Sequence, residues 1–315
     1  MINMISVIML TYNREKYIAR AIEAILAQTY PQFEFIIIDN GSNDQSGKIA
    51  DDYAKKDSRI RVLHIEKSSI GHGRNIGIDN AKGQYIAFVD DDDVAEPDML
   101  EFLLQLVEDN CADISICGAK KNVEGKIIPH SIWDEYCIWS AEEAVIELLK
   151  RKRNNAGLPT KLIKKELFKQ IPFKEDCKYE DIWICYKYMA NANKVVAYGI
   201  PKYCFTRHEG NNSSFTQNAE QWKAEQMKEY LAAFRERTEY ISKKLPKLTE
   251  LVQYSEWSYM ISMCDKIKTY KLSDCYDIFA ELVKKLQINQ KEFLTSPYIQ
   301  EFEKEWMIKY ILQEG

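Results

Sequence analysis

Four consecutive aspartates, Asp90–Asp93, are the residues of this sequence with the clearest capacity for chemistry. They directly follow Tyr85–Val89, a short aromatic and aliphatic run that predicts a strand buried on both faces. Open α/β sheets bind their ligands at the carboxyl ends of such strands. Crowded carboxylates repel one another unless a cation is present, and Mg²⁺ and Mn²⁺ prefer carboxylate and phosphate oxygens. The run therefore predicts a divalent metal bridged to phosphate, with a solvated acidic turn as the alternative.

Two earlier apolar runs, Ile5–Leu10 and Phe33–Ile38, also end in polar residues. Helical spacing of the apolar residues in Lys16–Thr29 and over about Ser46–Lys56 predicts that strands alternate with helices, which gives a mostly parallel central sheet flanked by helices. The carboxyl ends of parallel strands lie at one edge of the sheet, so we expect one site there. Its candidate members are Thr11, Tyr12, Asn13, Arg14, Asp39, Asn40 and the four aspartates.

The composition excludes several classes of protein. The chain has 315 residues, of which 46% are hydrophobic and 29% charged, enough for one large α/β domain and a smaller appendage. A net charge of −5 argues against a nucleic-acid partner. The sequence has neither an apolar run of roughly 18 residues nor a secretory signal, so we expect a cytoplasmic protein. The eight cysteines form no CxxC pair and are expected to be reduced core residues.

Two other kinds of acidic or glycine-rich site fit the sequence less well. Gly71, Gly73 and Gly77 do not match GxGxxG, because the third glycine is one residue late and the group does not follow the first strand. This argues against a dinucleotide-binding oxidoreductase. A receiver-like or phosphatase-like pocket would have its key aspartate alone at a strand end, with Lys and Ser or Thr at later strand ends.

The order of the motifs resembles the nucleotide-binding half of a family 2 glycosyltransferase with the GT-A fold. TYNR and DNGSND each follow a strand, and GHGRNIGIDNAKGQYIAF then leads into VDDDD. The likeness is dense over Ser6–Asp98 and thins to scattered anchors up to about Ser214. It implies an inverting enzyme of the bacterial surface-polysaccharide or glycolipid type. Its donor would be a nucleotide-diphospho-sugar, most often a UDP-sugar, and Mn²⁺ or Mg²⁺ would be held by a DxD motif.

The resemblance also implies roles for individual residues. Thr11 would lie near the base and ribose, and Asp39 would accept a hydrogen bond from uracil, although it could instead cap the next helix. Arg74 would lie against the nucleotide or its phosphates, with a surface ion pair as the alternative. The implied nucleotide-sugar site comprises Thr11, Tyr12, Asn13, Arg14, Asp39, Asn40, Arg74, Asp90, Asp91, Arg207 and His208.

Within the acidic run, the resemblance implies that Asp92 is a direct metal ligand. Asp90 would contact the metal, the ribose or a water. Asp93 could substitute for either, so the register of the metal ligands within the run stays open.

Glu180 and Asp181 begin a run with helical spacing of its apolar residues, so they could be acidic residues that favour the positive end of a helix dipole. In the resembled family, an aspartate in such a pair is the general base. A sugar hydroxyl is a poor nucleophile, and a carboxylate within hydrogen-bond reach removes its proton as the new bond forms. We therefore expect Asp181 to be the base and Glu180 to support it.

Two segments are expected to approach the ligands from the second half of the domain. Pro201–Ser214 resembles a family segment that folds over the diphosphate, and it contains Arg207 and His208. The acceptor would lie near Trp133, Tyr136 and Trp139, whose rings could stack on a sugar, with core packing as the alternative for at least two of them.

From about Asn218 the pattern is helical. We expect a catalytic domain at residues 1–215, with a donor half at about 1–118 and an acceptor half at about 119–215, and a helical region at 216–315. For the helical region a packed bundle, a homodimer interface and a peripheral contact with the inner face of the plasma membrane all stay open.

The sequence therefore predicts a metal-dependent inverting hexosyltransferase that moves a sugar from a UDP-sugar to a glycan or lipid-linked saccharide. Two alternatives are a sugar-phosphate nucleotidyltransferase, for which TYNREKY lacks the expected glycines, and a sugar-nucleotide-binding subunit without turnover.

Overall fold

The computed structural model describes residues 3–208, 210–211 and 218–312. The chain divides into two compact units, Met1–His208 and Glu209–Gly315. The domain boundary predicted at residues 215 and 216 lies outside the described residues, as do Ser213 and Ser214.

The first unit alternates strands with helices along most of its length. Its strands are β1 (Ile5–Thr11), β2 (Phe33–Asp39), β3 (Ile60–His64), β4 (Tyr85–Asp90), β5 (Val94–Ala95), β6 (Ile114–Val123), β7 (Lys126–Ser131), β8 (Tyr136–Trp139), β9 (Lys161–Lys164) and β10 (Val195–Arg207). Its helices are α1 (Ile18–Leu26), α2 (Ser46–Ala54), α3 (Ile70–Asn80), α4 (Met99–Asn110), α5 (Ala141–Lys150), α6 (Lys165–Gln170) and α7 (Glu180–Asn191).

The strands of the first unit form one sheet in the order β3-β2-β1-β4-β9-β6-β10-β5, with β7 on β6 and β8 on β10. Strands β3, β2, β1 and β4 are parallel, as their connecting helices require. Strand β9 runs antiparallel to both β4 and β6. The predicted α/β fold is confirmed, and its donor half is the parallel part of a mixed sheet.

Helices cover both faces of the parallel strands. Because both faces are buried, the residues of these strands are almost all apolar. On one face, Ile18, Ile22 and Ile25 of α1 are buried in a core that includes the β1 residues Val7 and Met9. On the other face, α3 packs on β1 and β2. A Cβ at Gly73 or Gly77 would meet the side chains of Leu10 or Ile8 of β1. These glycines therefore allow a helix to lie unusually close to the sheet.

The second unit is helical, as predicted. Its helices are α8 (Ala224–Lys244), α9 (Thr249–Thr269), α10 (Tyr276–Ile288), α11 (Gln290–Leu294) and α12 (Glu301–Tyr310). Helix α9 is central, because α8, α10 and α12 all pack on it. Within the described residues, none of the helices has both the length and the apolar character needed to cross a bilayer.

Candidate active site

The parallel register brings the polar ends of three strands together. Thr11 lies opposite Asp39 in the β1–β2 pair, and Leu10 lies opposite Asp90 in the β1–β4 pair. The loop after β1 is also tied to the loop after β2, since the Asn13 side chain accepts from the Asn43 amide at 2.8 Å. The candidate residues of β1, β2 and β4 thus line one edge of the sheet.

Each aspartate of the acidic run has its own contacts. The side chain of Asp90 is 42% exposed and lies 3.7 Å from the Arg74 guanidinium. Asp91 is buried, 3.6 Å from the Arg14 guanidinium, and accepts weakly from the Tyr12 amide at 3.4 Å. The Asp92 carboxylate lies 2.7 Å from Nε2 of His208, and its backbone carbonyl accepts from Arg20 at 2.7 Å. Asp93 is buried and accepts from the Thr206 amide at 2.6 Å.

Loss of contact with water and mutual repulsion disfavour ionisation of three carboxyl groups in this run, those of Asp90, Asp91 and Asp93. Partial loss of contact with water raises the pKa of Asp90 to about 6, and burial raises that of Asp91 to about 7; the charge of Asp92 raises both pKa values further. The pKa of Asp93 is also well above its ordinary range, because of burial and the Asp90 charge. A bound cation would relieve this repulsion.

Arg74 connects the acidic run to the Glu180–Asp181 pair. Its guanidinium forms an ion pair with Glu180 as well as lying near Asp90, and it sits 5.1 Å from the ring centroid of Phe88. The side chain is only 11% exposed. In this geometry Arg74 faces two carboxylates and links α3 to the first turn of α7.

Glu180 and Asp181 occupy the N-terminal turn of α7, where the helix dipole favours negative charge. Burial nevertheless raises the pKa of Glu180 to about 7, against the lowering effect of Arg74. Burial also raises the pKa of Asp181, while Arg74 and Lys161 oppose the rise. One oxygen of Asp181 accepts from the Ile182 amide at 2.8 Å. Two carboxyl groups with raised pKa values therefore lie beside the guanidinium that also faces Asp90.

The side chains of Asp39 and Asn40, at the end of β2, are held by hydrogen bonds to other protein groups. Asp39 accepts from the Ser42 amide at 3.1 Å and lies 2.9 Å from Nδ1 of His64. Asn40 is buried, and its side chain bonds Ser68 through the Ser68 amide, hydroxyl and carbonyl. Asn40 thus fastens the segment that precedes α3, which its assignment to the nucleotide site did not anticipate.

The loop after β1 combines a buried and an exposed side chain. The Thr11 hydroxyl is buried, and within the described residues it has no hydrogen-bond partner of normal geometry. The Tyr12 ring is partly exposed and lies under the Lys67 ammonium. Arg14 is fixed by its amide, which donates to the Ser46 hydroxyl at 2.7 Å.

Strand β10 brings Arg207 and His208 to the acidic run. The His208 ring stacks on Tyr17 at a centroid distance of 4.4 Å while its Nε2 faces Asp92. Arg207 is the last residue of β10 and lies beside the Phe205 ring, at 5.8 Å. The contact of Asp93 with Thr206 holds this end of β10 in place.

The structure does not bring the predicted acceptor aromatics to this cluster as a group. Tyr136 and Trp139 of β8 pair with Tyr198 and Val195, at the far end of β10 from Arg207. Trp139 is buried, and the Tyr136 hydroxyl accepts from Asn110 at 2.5 Å. Trp133 lies against the backbone of Gly199. Core packing, the alternative that the sequence left open, therefore accounts for Trp139, and the stacking role of Trp133 and Tyr136 stays a prediction.

Sequence reasoning missed two contact residues. His64 bridges Asp39 and Asp51, at 2.9 and 3.0 Å, and these carboxylates raise its pKa. It ends β3, so its position at a strand end was the available signal. Arg20 of α1 donates to Asp92 and to the Thr206 hydroxyl at 3.0 Å, a pairing across 186 residues that has no local signal.

The carboxylates of this site could provide some of the ligands of a metal ion, with the substrate providing the others. They do not form a complete set of protein ligands within the part of the chain that the structure describes. Among residues 3–208, 210–211 and 218–312, no three His, Cys, Asp or Glu side chains are grouped to enclose a metal ion. Mg²⁺, however, is usually bound through one or two carboxylates and completed by substrate phosphates. Asp90, exposed and with a raised pKa, together with Asp92, provides such a partial set.

Comparisons with known proteins show the family of this chain. Residues 6–175 match the model of Glycosyl transferase family 2. The chain is 36% identical over 222 residues to the glycosyltransferase GlyG of Streptococcus pneumoniae, covering 67% of this chain and 73% of GlyG. It is 31% identical over 217 residues to the poly(ribitol-phosphate) beta-N-acetylglucosaminyltransferase TarS of Staphylococcus aureus, covering 66% of this chain but 36% of TarS.

A solved structure shares the fold. Residues 1–349 of S. aureus TarS, in complex with UDP-GlcNAc, align with a TM-score of 0.61 at 23% identity, covering 84% of this chain and 81% of that one. The chain therefore has the GT-A fold. The chain belongs to the family 2 glycosyltransferases, as its motifs predicted.

Proposed function

We propose that this enzyme is a metal-dependent, inverting glycosyltransferase. It moves a sugar from a UDP-sugar to a hydroxyl of a glycan or lipid-linked saccharide in polysaccharide or glycolipid biosynthesis. The observation that carries the proposal is the bridge made by Arg74, which holds Asp90 of the acidic run and Glu180 of the α7 pair on one guanidinium. The bridge thereby holds a carboxylate assigned to the metal beside the turn of α7 that carries Asp181, the residue assigned as the base.

The donor nucleotide is assigned to the ends of β1 and β2. Asp39 lies there as an acceptor for a base N–H, oriented by His64 and the Ser42 amide. The buried Thr11 hydroxyl lies at the same edge, beside Asp91. The structural relative TarS binds UDP-GlcNAc, which supports a UDP-sugar as the donor.

The metal would be held by Asp90 and Asp92 together with the donor's phosphates, with His208 beside Asp92. When bound, it would stabilise the diphosphate leaving group as a Lewis acid. Arg14 and Arg20, which approach Asp91, Asp92 and the Asp92 carbonyl, hold this run in place.

Asp181 is assigned as the general base. It accepts the proton of the acceptor hydroxyl while the hydroxyl oxygen bonds to C1 of the sugar and the bond from C1 to the diphosphate breaks. A single displacement of this kind inverts the configuration at C1. The raised pKa of Asp181 makes its carboxylate a stronger base toward the acceptor hydroxyl. Glu180 forms an ion pair with Arg74 and has a supporting role.

Release of UDP from UDP-GlcNAc in the presence of Mn²⁺ tests the base without a known acceptor, because water then takes the place of the hydroxyl. We expect Asp181→Asn to lower this rate by about 10²- to 10⁴-fold, the usual contribution of a general base. Asp176→Asn is the matched control, since Asp176 is 85% exposed on the segment before α7. An Asp181→Asn enzyme that keeps the wild-type rate would remove the base assignment.

A further inference from the structure

Three basic side chains, those of Lys121, His130 and Arg207, meet around one aromatic ring and have no common role in the proposed reaction. They come from β6, β7 and the end of β10. Lys121 is the register partner of Phe205 in the parallel β6–β10 pair. The His130 ring lies edge to face at 5.6 Å from the Phe205 ring, and the Arg207 guanidinium lies 5.8 Å from its centroid. These three residues are termed the basic cluster.

A β-bulge brings His130 into the basic cluster. The β6–β7 pairing shifts register between Ala119 and Lys120, which leaves His130 as the residue of β7 without a partner on β6. A bulge re-aims a side chain, and bulges are common at sheet edges and beside active sites. The contact with Phe205 places the His130 ring on the face of the sheet that also carries Lys121.

The basic cluster lies on the face of β10 that reaches the acidic run. Residues two apart in a strand share a face, so Tyr203, Phe205 and Arg207 point the same way. The Tyr203 hydroxyl accepts from the Asp90 amide at 3.0 Å, and its ring lies 5.1 Å from that of Phe205. A line of contacts therefore connects Asp90 to the basic cluster.

The lysines on the opposite face of these strands are paired with acids, whereas Lys121 is not. Lys120 pairs with Glu96 at 3.2 Å, and Lys202 pairs with Asp98. Lys121 is partly buried and makes no ion pair with a carboxylate that the structure describes. The two faces thus differ in charge balance, and the face toward the acidic run has the excess of positive charge at Lys121.

Members of the basic cluster repel one another. Partial burial and the charge of Arg207 lower the pKa of Lys121. Partial loss of contact with water, together with the charges of Lys121 and Arg207, lowers the pKa of His130 to about 4, so the ring is neutral at pH 7. An anion among these groups would relieve the repulsion, and guanidinium and ammonium groups are the usual partners of phosphate.

We propose that the basic cluster binds a phosphate group of the acceptor, so that the enzyme selects an acidic acceptor. This inference rests on the proposed function and names the acceptor class of the same site. The nucleotide is assigned to the ends of β1 and β2, and the donor's diphosphate to the metal at the end of β4. Strands β6 and β10 lie on the other side of β4 in the sheet. A phosphate held there belongs to the second substrate.

The test is the affinity for glycerol 3-phosphate of the protein saturated with UDP and Mg²⁺, followed by phosphorus NMR. Because UDP then fills the donor's diphosphate site, a phosphate ester that still binds occupies a different site. We expect binding of glycerol 3-phosphate but not of glycerol, and we expect Lys121→Gln to weaken it about tenfold, as loss of a charge-assisted hydrogen bond does. Absence of binding, or equal affinity in the wild type and Lys121→Gln, overturns the inference.

Three further variants make the result specific. Lys126→Gln is the matched control, because it removes the same charge from an exposed position of β7, and it should keep the wild-type affinity. A tenfold loss in Lys126→Gln would show a response to net charge only and contradicts the proposal. Lys121→Arg keeps the charge and should bind, whereas an affinity as low as that of Lys121→Gln counts against it. His130→Ala, at an exposed position, should also weaken binding, and its unchanged affinity overturns the role of the cluster even where Lys121→Gln fails to fold.

Competition identifies the source of the phosphate. If glycerol 3-phosphate binds the free protein and UDP displaces it, the basic cluster serves the donor's diphosphate and the inference is overturned. Failure of the proposed function gives another result, since UDP itself then fails to bind with Mg²⁺. If UDP binds with Mg²⁺ and the phosphate ester does not, the donor site survives and only the acceptor class is wrong.

Discussion

The neighbouring aspartates of the acidic run contact different groups because the backbone turns after β4. Asp90, still on the strand, is exposed to the cleft, whereas Asp93 points back to β10 and accepts from the Thr206 amide. Asp92 lies between them, against His208. These contacts favour Asp90 and Asp92 as the metal ligands and give Asp93 a structural role.

The structural role of Asp93 predicts that its substitution changes the stability of the protein but not metal binding. Asp93→Ala leaves the partly buried Thr206 amide without this acceptor and should lower stability by about 1 kcal/mol, the usual net contribution of a hydrogen bond. Asp93→Asn keeps an acceptor oxygen and should lose much less. Thermal melting with and without Mn²⁺ and UDP compares them. Neither variant should lose the metal-dependent stabilisation by UDP, and its loss in Asp93→Asn would make Asp93 a ligand.

At the residue scale, the sequence predicted residues whose signal is local. The acidic run and the Glu180–Asp181 pair are recognisable because each stands at the end of a strand or the start of a helix. Arg20 carried no such signal, since its importance comes from partners in other elements. The acceptor aromatics stay a prediction: their types suit a sugar site, but β8, which carries Tyr136 and Trp139, pairs at the other end of β10.

At the element scale, helix α3 carries Arg74 to the site by packing closely on the sheet and on the segment before α7. A Cβ at Gly71 would collide with the backbone carbonyl of Lys174, and one at Gly77 would meet the side chain of Ile8. A backbone cannot move as easily as the end of an isoleucine side chain. The glycine spacing that failed to match a dinucleotide motif is thus explained by packing.

This packing predicts a graded effect of alanine on stability. In an exposed helix, Gly→Ala usually stabilises by about 1 kcal/mol. Here Gly77→Ala should destabilise slightly, and Gly71→Ala should destabilise by about 1–3 kcal/mol, as overpacking does. Urea unfolding of the two variants measures both values. An increase in stability for Gly71→Ala would contradict the close approach of α3 to Lys174.

The sequence predicted the elements of the donor half well, because hydrophobic periodicity and parallel connections determine them. It predicted neither the antiparallel insertion of β9 between β4 and β6 nor the length of β10. Strand order in that part depends on contacts between residues far apart along the chain, such as Tyr85 with Lys164. Those pairings have no short-range pattern.

At the scale of the whole molecule, the acidic centre should make stability depend on pH. Asp91 and Glu180 have pKa values raised to about 7, so the folded state binds more protons than the unfolded state between about pH 4 and 7. Their burial therefore costs stability above pH 7, and that cost is relieved on acidification. The raised pKa of His64 acts in the same direction, and that of His130, lowered to about 4, acts in the opposite one.

We accordingly expect the metal-free protein to melt at a higher temperature at pH 6 than at pH 8. The free energy of unfolding should be larger at pH 6 than at pH 8 by an amount on the order of 1–3 kcal/mol. Asp91→Asn should be more stable than the wild type at pH 8 and should show a smaller difference between the two pH values. Scanning calorimetry in EDTA measures this, and a wild-type protein that is more stable at pH 8 would show that the carboxylates are solvated.

The measurement that tests the central claim most directly is the affinity for UDP by titration calorimetry, with Mn²⁺ and then with EDTA. We predict binding with Mn²⁺ that weakens at least tenfold, by about 1.4 kcal/mol, in EDTA. Asp92→Asn should lose this dependence, and Asp109→Asn, an exposed site on α4, should keep it. Equal affinity in Mn²⁺ and EDTA, or no binding of UDP, would contradict a metal-dependent donor site at Asp90 and Asp92.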